Sequence, residues 1–501
     1  MPAVSVVALL ILGMVMVTLW APQWPRRKLP LINDKNWFEL GYTEAKKRFH
    51  ANGRHLIQLG FTKANDAFWI ITDSHPRMVL ASKYANVIRN DDRLSLGKFI
   101  AQEFHANIRG FEPFGQISSE SGIVRDTVRM KLTHALNRII EPLSHEVTVA
   151  LQTHWGDSLT WHSFPMSSIM MRIIAQVSSR AFVGEELCRN SAWLDMIANY
   201  TEQVFLVARA LRLWPKILRP IVAELLPRTW KLRRQIQRAR MMIQPVFDQR
   251  LAANLEAIKQ GKTPNQSTNA MDWLQECAKG RAFDPAILQL TLSFVAIETT
   301  SQMLCNVIYD IAERPDLIQV LQEEIITVIK ENGWQKSSLQ KLKIMDSVLK
   351  ESQRWKPTSV VSMNRVAEAR VQLPDGVEIP KGTSIMVSAL QMWDSSVYPD
   401  GDQFDPYRFF KLRQIPGQER SSQFVSTSTN HLGFGHGQHS CPGRFFAATE
   451  LKILLCHLLL KYDFKIIEGR NPQYIMRGHN IMPNPKAKIS VRRRQEEIEF
   501  L

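Results

Sequence analysis

Phe434-Gly-His-Gly-Gln-His-Ser-Cys-Pro-Gly443 sets a single cysteine, Cys441, between a glycine-rich run and an apolar-periodic segment, Arg444 to Lys461. Phe445, Leu451, Leu455, Leu458 and Leu459 recur on one face of that segment, which predicts a helix. A cysteine just before a helix feels the positive end of the helix dipole, which favours thiolate over thiol. Gly435 and Gly437 let the backbone turn tightly, so that amide N–H groups can aim at the sulfur. Such hydrogen bonds tune a metal–thiolate centre. A buried cysteine beside a turn is the plainer reading of any lone Cys. The spacing Phe434-x-x-Gly437-x-His439-x-Cys441-x-Gly443 argues for a ligand instead.

That spacing resembles the heme-binding loop of the cytochrome P450 family, the heme-thiolate monooxygenases, although the family more often carries arginine where this chain has His439. Three further motifs fall in the family's order, so the resemblance covers nearly the whole chain after its N-terminal segment. It implies a mainly α fold with small β-sheets, in one large domain over residues 33–501. It also implies heme b as cofactor, with the Cys441 thiolate as its axial ligand.

Asp284 to Glu313 has a long helical pattern whose only proline, Pro285, falls in the first turn, where proline is tolerated. Within it, Phe294-Val-Ala-Ile-Glu-Thr-Thr300 is similar to the family's distal-helix motif: a small residue, an acid, then threonine. Threonine can bond back to the carbonyl one turn earlier and loosen the helical ladder. By the resemblance, Ala296 leaves room for dioxygen, while Glu298 and Thr299 deliver protons. Thr300 is the nearest competitor, about 100° around the helix. An Ala-Ile-Glu-Thr run alone is weak, because core helices often carry one. Its place between the other motifs supplies the weight.

Glu351 and Arg354 share a helix face at i, i+3 and can pair. In the family a later arginine completes a buried structural cluster, and Phe404-Asp-Pro-Tyr-Arg408 makes Arg408 the match. Ile123 to Ile140 is helical in pattern and carries Arg125 and Arg129. Family members use a basic residue of this helix to pair a heme propionate, and the following Met-Lys-Leu-Thr favours Arg129. Arg365 and His439 are the other propionate candidates by resemblance. Val360, Val361 and Ser362 would then line the substrate pocket.

The 501-residue length alone would allow about three domains. No linker or sharp composition shift divides the chain, and 45% hydrophobic residues suffice for one substantial core. Net charge +16 and pI near 9.7 could point to nucleic acid or to an anionic membrane. There is no zinc-finger spacing, ribonucleoprotein motif or aromatic-basic interleaving, so nucleic acid is not expected. Five scattered cysteines do not form a disulfide framework and fit a reducing, cytosol-facing location.

Val4 to Trp20 is an uncharged apolar run, at the short end of the roughly 17–25 residues that span a bilayer. No Lys or Arg precedes it and no A-x-A-like site closes it, which argues against a cleaved signal. Residues 1–21 therefore read as a single-pass anchor and 22–32 as a proline-rich basic hinge. Arg26, Arg27 and Lys28 place the following domain on the cytoplasmic side, here of the endoplasmic reticulum. Further on, Phe205 to Pro227 mixes Trp, Leu and Arg in a way that could make a second lipid contact.

The expected activity is insertion of one oxygen atom from dioxygen into a lipophilic substrate, with electrons from NADPH-cytochrome P450 reductase. Val177–Gly184 and Cys441–Ala447 resemble fungal members of secondary metabolism, which implies a terpenoid or meroterpenoid. The rival readings are an isomerase or dehydratase of the same fold needing no reductase, and a membrane-tethered heme carrier or sensor.

Overall fold

Pro285–Ala312 is the helix about which the others pack. Asp284 starts it, its carboxylate accepting from the amides of Ala286 and Ile287 at 3.0 and 3.1 Å. It is mostly apolar and buried on nearly every side, as befits a core helix. Met166–Phe182, Pro227–Lys259, Glu112–Ser118 and Lys343–Trp355 pack around it. The computed structural model describes residues 29–39, 41–119, 121–261, 269–467 and 474–495. The expected anchor, 1–21, lies outside the described residues, as does the hinge through residue 28. Among the described residues no helix is long and apolar enough to cross a membrane.

The mainly helical architecture with small sheets agrees with the sequence reading. A six-stranded mixed sheet runs Leu31–Ile32, Ala67–Ile71, Pro76–Leu80, Ser384–Ser388, Val361–Ala367 and Leu94–Ser95 in spatial order. Ala67–Ile71 pairs antiparallel with Pro76–Leu80 in a hairpin. A bulge interrupts the Val361–Ala367 strand: Ser362 pairs with Val387, but Arg365 pairs with Ile385. Three steps on one strand match two on its partner, with Met363 between them in the left-handed region at φ 51°. Because side chains alternate along a strand, the extra residue brings Ser362 and Arg365 onto one face.

The helix predicted to end near Ile140 continues through Pro142 to Trp155. Leu143, Val147 and Leu151 are buried beyond the proline, and that packing outweighs the lost backbone bond. Near its start, Thr127–Leu132 widens into π-helical turns, a local rearrangement frequent at functional sites.

Lys343–Trp355 carries the structural trio. Arg354 donates to Glu351 at 2.8 and 2.7 Å, and Arg408 reaches the same carboxylate at 3.2 Å. Arg354 also donates to the carbonyls of Met392, Gly401 and Gln403. The cluster ties this helix to the irregular chain that precedes the cysteine loop.

Candidate active site

Cys441 enters the site on a loop closed by its own backbone. The Cys441 amide donates to Phe434 O at 2.8 Å, immediately before the Arg444–Lys461 helix predicted from periodicity. Burial pushes its thiol up, while the amides of Gly443 and Arg444 and the Arg444 guanidinium pull it back toward thiolate. The turn depends on Gly437, at φ 79°, where a Cβ would lie 2.5 Å from Arg89 Cβ and 2.7 Å from Arg89 O. A side chain there would collide with the neighbouring segment, so only glycine fits.

The three cation candidates meet beside this loop. Arg129, in the π-helical turns, donates to Gln438 O. Arg365, turned by the bulge, is 3% exposed and donates to Asn364 O at 2.7 Å. No carboxylate pairs with it among the described residues, and burial pushes its guanidinium down to about 10. Burial, with Arg365, Arg125 and Arg129 nearby, lowers His439 to about 4. A buried guanidinium without a counter-ion is costly in a bare protein. Arg365, Arg129 and His439 thus suit a cofactor that brings two carboxylates to its edge, while Cys441 offers a soft metal ligand. The donor set fits an iron porphyrin.

Along the wall formed by the Pro285–Ala312 helix, Val295 is 40% exposed and Thr299 is exposed, four residues apart, while most of the helix is buried. Thr299 Oγ1 donates to Val295 O at 3.1 Å, the one-turn back-bond expected for this threonine. Glu298 accepts from Gln302 Nε2 at 2.6 Å, and burial raises its carboxyl against that bond. Thr300 is buried, so of the two threonines Thr299 has the open face. Val360 and Val361 pack in an apolar cluster with Phe49, Phe68 and Ile481, and Ser362 Oγ donates to Leu432 O at 3.1 Å.

Several supports of the loop were not foreseen. Asn90 Oδ1 accepts from the Gln438 amide at 2.9 Å, and Asn86 Oδ1 bonds His436 Nε2 at 2.9 Å. Lys350 Nζ donates to the carbonyls of Ser421, Gln423 and Ser426 at 2.9, 2.7 and 3.1 Å, fixing the chain that leads into the loop. Burial lowers this lysine to about 7. Only its place immediately before Glu351 hinted at a role.

A cysteine held on a closed loop, with two arginines and a histidine at its flank, fits a heme-thiolate protein. Residues 106–491 match the family profile described as Cytochrome P450. The chain is 47% identical to cytochrome P450 monooxygenase adrA of Penicillium rubens, over 99% of this chain and 97% of that one. It is 45% identical to monooxygenase pyr3 of Aspergillus fumigatus, over 94% and 90% of the two chains. The solved structure of retinoic acid-bound cyanobacterial CYP120A1 shares the fold, with a TM-score of 0.66 over 93% of this chain and 99% of that one, at 16% identity. This chain belongs to the cytochrome P450 family and is a monooxygenase. The family's cofactor is a heme-thiolate iron, and its members in general use dioxygen, a redox partner and lipophilic substrates.

Proposed function

We propose that this enzyme inserts one oxygen atom from dioxygen into a terpenoid or meroterpenoid of fungal secondary metabolism. Electrons come from NADPH-cytochrome P450 reductase, and the cofactor is heme b. Likeness to the Penicillium and Aspergillus enzymes supports the metabolic setting. The observation that carries the reading is the Cys441 loop, with two amides toward its sulfur and Arg129, Arg365 and His439 beside it. Heme with a thiolate ligand supplies the activation of dioxygen.

The chain's own residues do the rest. Arg129, Arg365 and His439 would hold the cofactor by its carboxylates, and the apolar wall would exclude water. Burial raises the Glu298 carboxyl, which favours its acid form as a proton donor to the cavity. The Thr299 hydroxyl would take a proton at Oγ1 and release its own O–H proton onward, so that it gains no net charge. Protein, reductase and a panel of terpenoids should consume NADPH and oxygen with matching product. Product formed without reductase would favour the isomerase or dehydratase reading, and no substrate-stimulated consumption would favour a carrier.

Residues 1–21 form the anchor, 22–32 the hinge and 33–501 the catalytic domain, cytoplasmic at the endoplasmic reticulum. Leu213 and Ile217, 65% and 67% exposed, lie with exposed Trp214 and Ile221 beside Lys216 and Arg219. This apolar patch with a cationic rim supports a second lipid contact. Removal of residues 1–21 should leave membrane association that high salt releases. Truncated protein that stays bound in high salt would make this patch the dominant anchor.

A further inference from the structure

Above the Thr299 wall lies a layer of rings. Phe294 packs edge-on against Phe114 at 4.7 Å, and Phe114 stacks on Phe104 at 4.4 Å. Phe205, on the helix Ser191–Arg212, closes the layer at 5.4 Å from Phe294 and 5.9 Å from Phe104. Immediately beyond Phe104 stands a buried carboxylate, Glu103. Arg77 donates to it at 2.7 Å from the Pro76–Leu80 strand, and Arg212 approaches it at 3.0 Å from the end of the Ser191–Arg212 helix. Each guanidinium also lies over a ring, Arg77 5.1 Å from Phe99 and Arg212 5.8 Å from Phe104.

The charges here do not balance. Two guanidiniums share one carboxylate, and Lys46, Lys216 and Arg219 add positive charge while Asp73 alone adds a second negative one. Burial pushes Lys46, Lys216 and Arg219 down, and neighbouring cations push each of them further. Arg77 also donates to Ser74 Oγ at 2.9 Å, and Arg212 to the Glu103 carbonyl at 3.2 and 3.1 Å. Arg77 Nε and His75 Nε2 are buried with no hydrogen-bond partner among the described residues, and Arg77 itself is only 2% exposed. The Glu351 trio meets its two guanidiniums with one carboxylate and backbone carbonyls; this cluster gathers further cations and leaves a guanidinium N–H of Arg77 unused.

We propose that Arg77 and Arg212 form an anion subsite that receives a carboxylate at the far end of a lipophilic substrate whose reacting end lies beside Thr299. Resting on the heme reading above, this narrows the substrate class to molecules with an acidic terminus. Glu103 holds the guanidiniums in place and competes with the incoming carboxylate. Arg77 Nε then supplies the donor that the incoming oxygen satisfies.

The test uses the heme-loaded full chain in a nonionic detergent, with an ω-imidazolyl dodecanoic acid and its methyl ester as probes. Imidazole ligation of iron moves the Soret band, so both affinities are read without turnover. The acid should bind about tenfold more tightly than the ester at low salt, as a charge-assisted bond predicts. Arg212→Gln should bring the two within about twofold and leave the ester affinity unchanged. Glu103→Gln, which removes the competitor, should widen the preference for the acid. A protein whose Soret band plain imidazole does not move fails the heme reading itself. One that binds imidazole but holds the acid no more tightly than the ester overturns the subsite alone, as does Arg212→Gln weakening both probes alike.

Discussion

Arginines gather at two places near the cysteine loop, and the two clusters differ in what answers their charge. Around Glu351, the guanidiniums of Arg354 and Arg408 meet one carboxylate and a ring of backbone carbonyls, all supplied by the chain. Around the loop, Arg129 and Arg365 have only backbone oxygens among the described residues, and His439 is held neutral by burial and by its cationic neighbours. The first cluster is complete as the chain folds and serves the fold. The second lacks an anion among the described residues, and on the proposed reading a bound group would supply it. Buried positive charge alone does not separate the roles; the origin of the counter-charge does.

The largest effect should come from the ligand between the clusters. Cys441→Ser should abolish the red-shifted absorption of the reduced, carbon monoxide-bound protein. Ser or Ala at the buried Cys188, Cys277, Cys305 and Cys456 should leave it in place. Retention of the band in Cys441→Ser would remove the axial ligand from the account.

Next comes the self-complete cluster. Glu351→Gln leaves two guanidiniums short of their shared carboxylate and should cost about 3–5 kcal/mol. Thermal unfolding should show the loss with or without heme. Arg365→Met reverses that pattern: without heme its melting should hold or rise, because an uncompensated buried charge has gone. With heme, transfer to a scavenging globin should speed about tenfold, from the loss of one charge-assisted bond. Equal destabilisation of both forms by Arg365→Met would erase the distinction between the clusters.

Smaller changes belong to the Pro285–Ala312 helix. Glu298→Gln should slow turnover on the order of a hundredfold, the lower range for a lost proton-transfer group. Thr299→Ala should keep heme and NADPH consumption while diverting most electrons to hydrogen peroxide. If Thr300→Ala uncouples the reaction and Thr299→Ala does not, the proton route runs through the buried threonine.

The most gradual effect is electrostatic. Burial raises the Glu450 carboxyl from 4.5 to about 8, although Ser178 donates to it at 2.7 Å. Between those values the native protein keeps a proton that the unfolded chain has lost. Stability therefore falls as pH rises through that window, by at most about 1.4 kcal/mol per unit, and the slope vanishes on either side. Glu450→Gln should flatten the dependence of melting temperature on pH there. An unchanged slope would assign it to another group.

Much of this was legible in the residues. The cysteine helix, Arg444–Lys461, has the bounds its periodicity predicted. Local signals govern such elements: apolar period, a capping Asp284, glycines that alone tolerate positive φ. The helix beyond Pro142 was not legible, because its continuation depends on packing against distant segments.

By itself, then, the sequence determined the cysteine loop, the core helix and the Glu351–Arg354–Arg408 trio, since each is carried by residue type at short spacing or by family motif. Tertiary structure alone decided that a bulge at Met363 turns Arg365 to the face of Ser362, and that Thr299 is open while Thr300 is buried. It also decided that Arg77 and Arg212, far apart in the chain, share Glu103. Those facts depend on register, helix rotation and burial, and these follow from which surfaces exclude water together once distant segments pack.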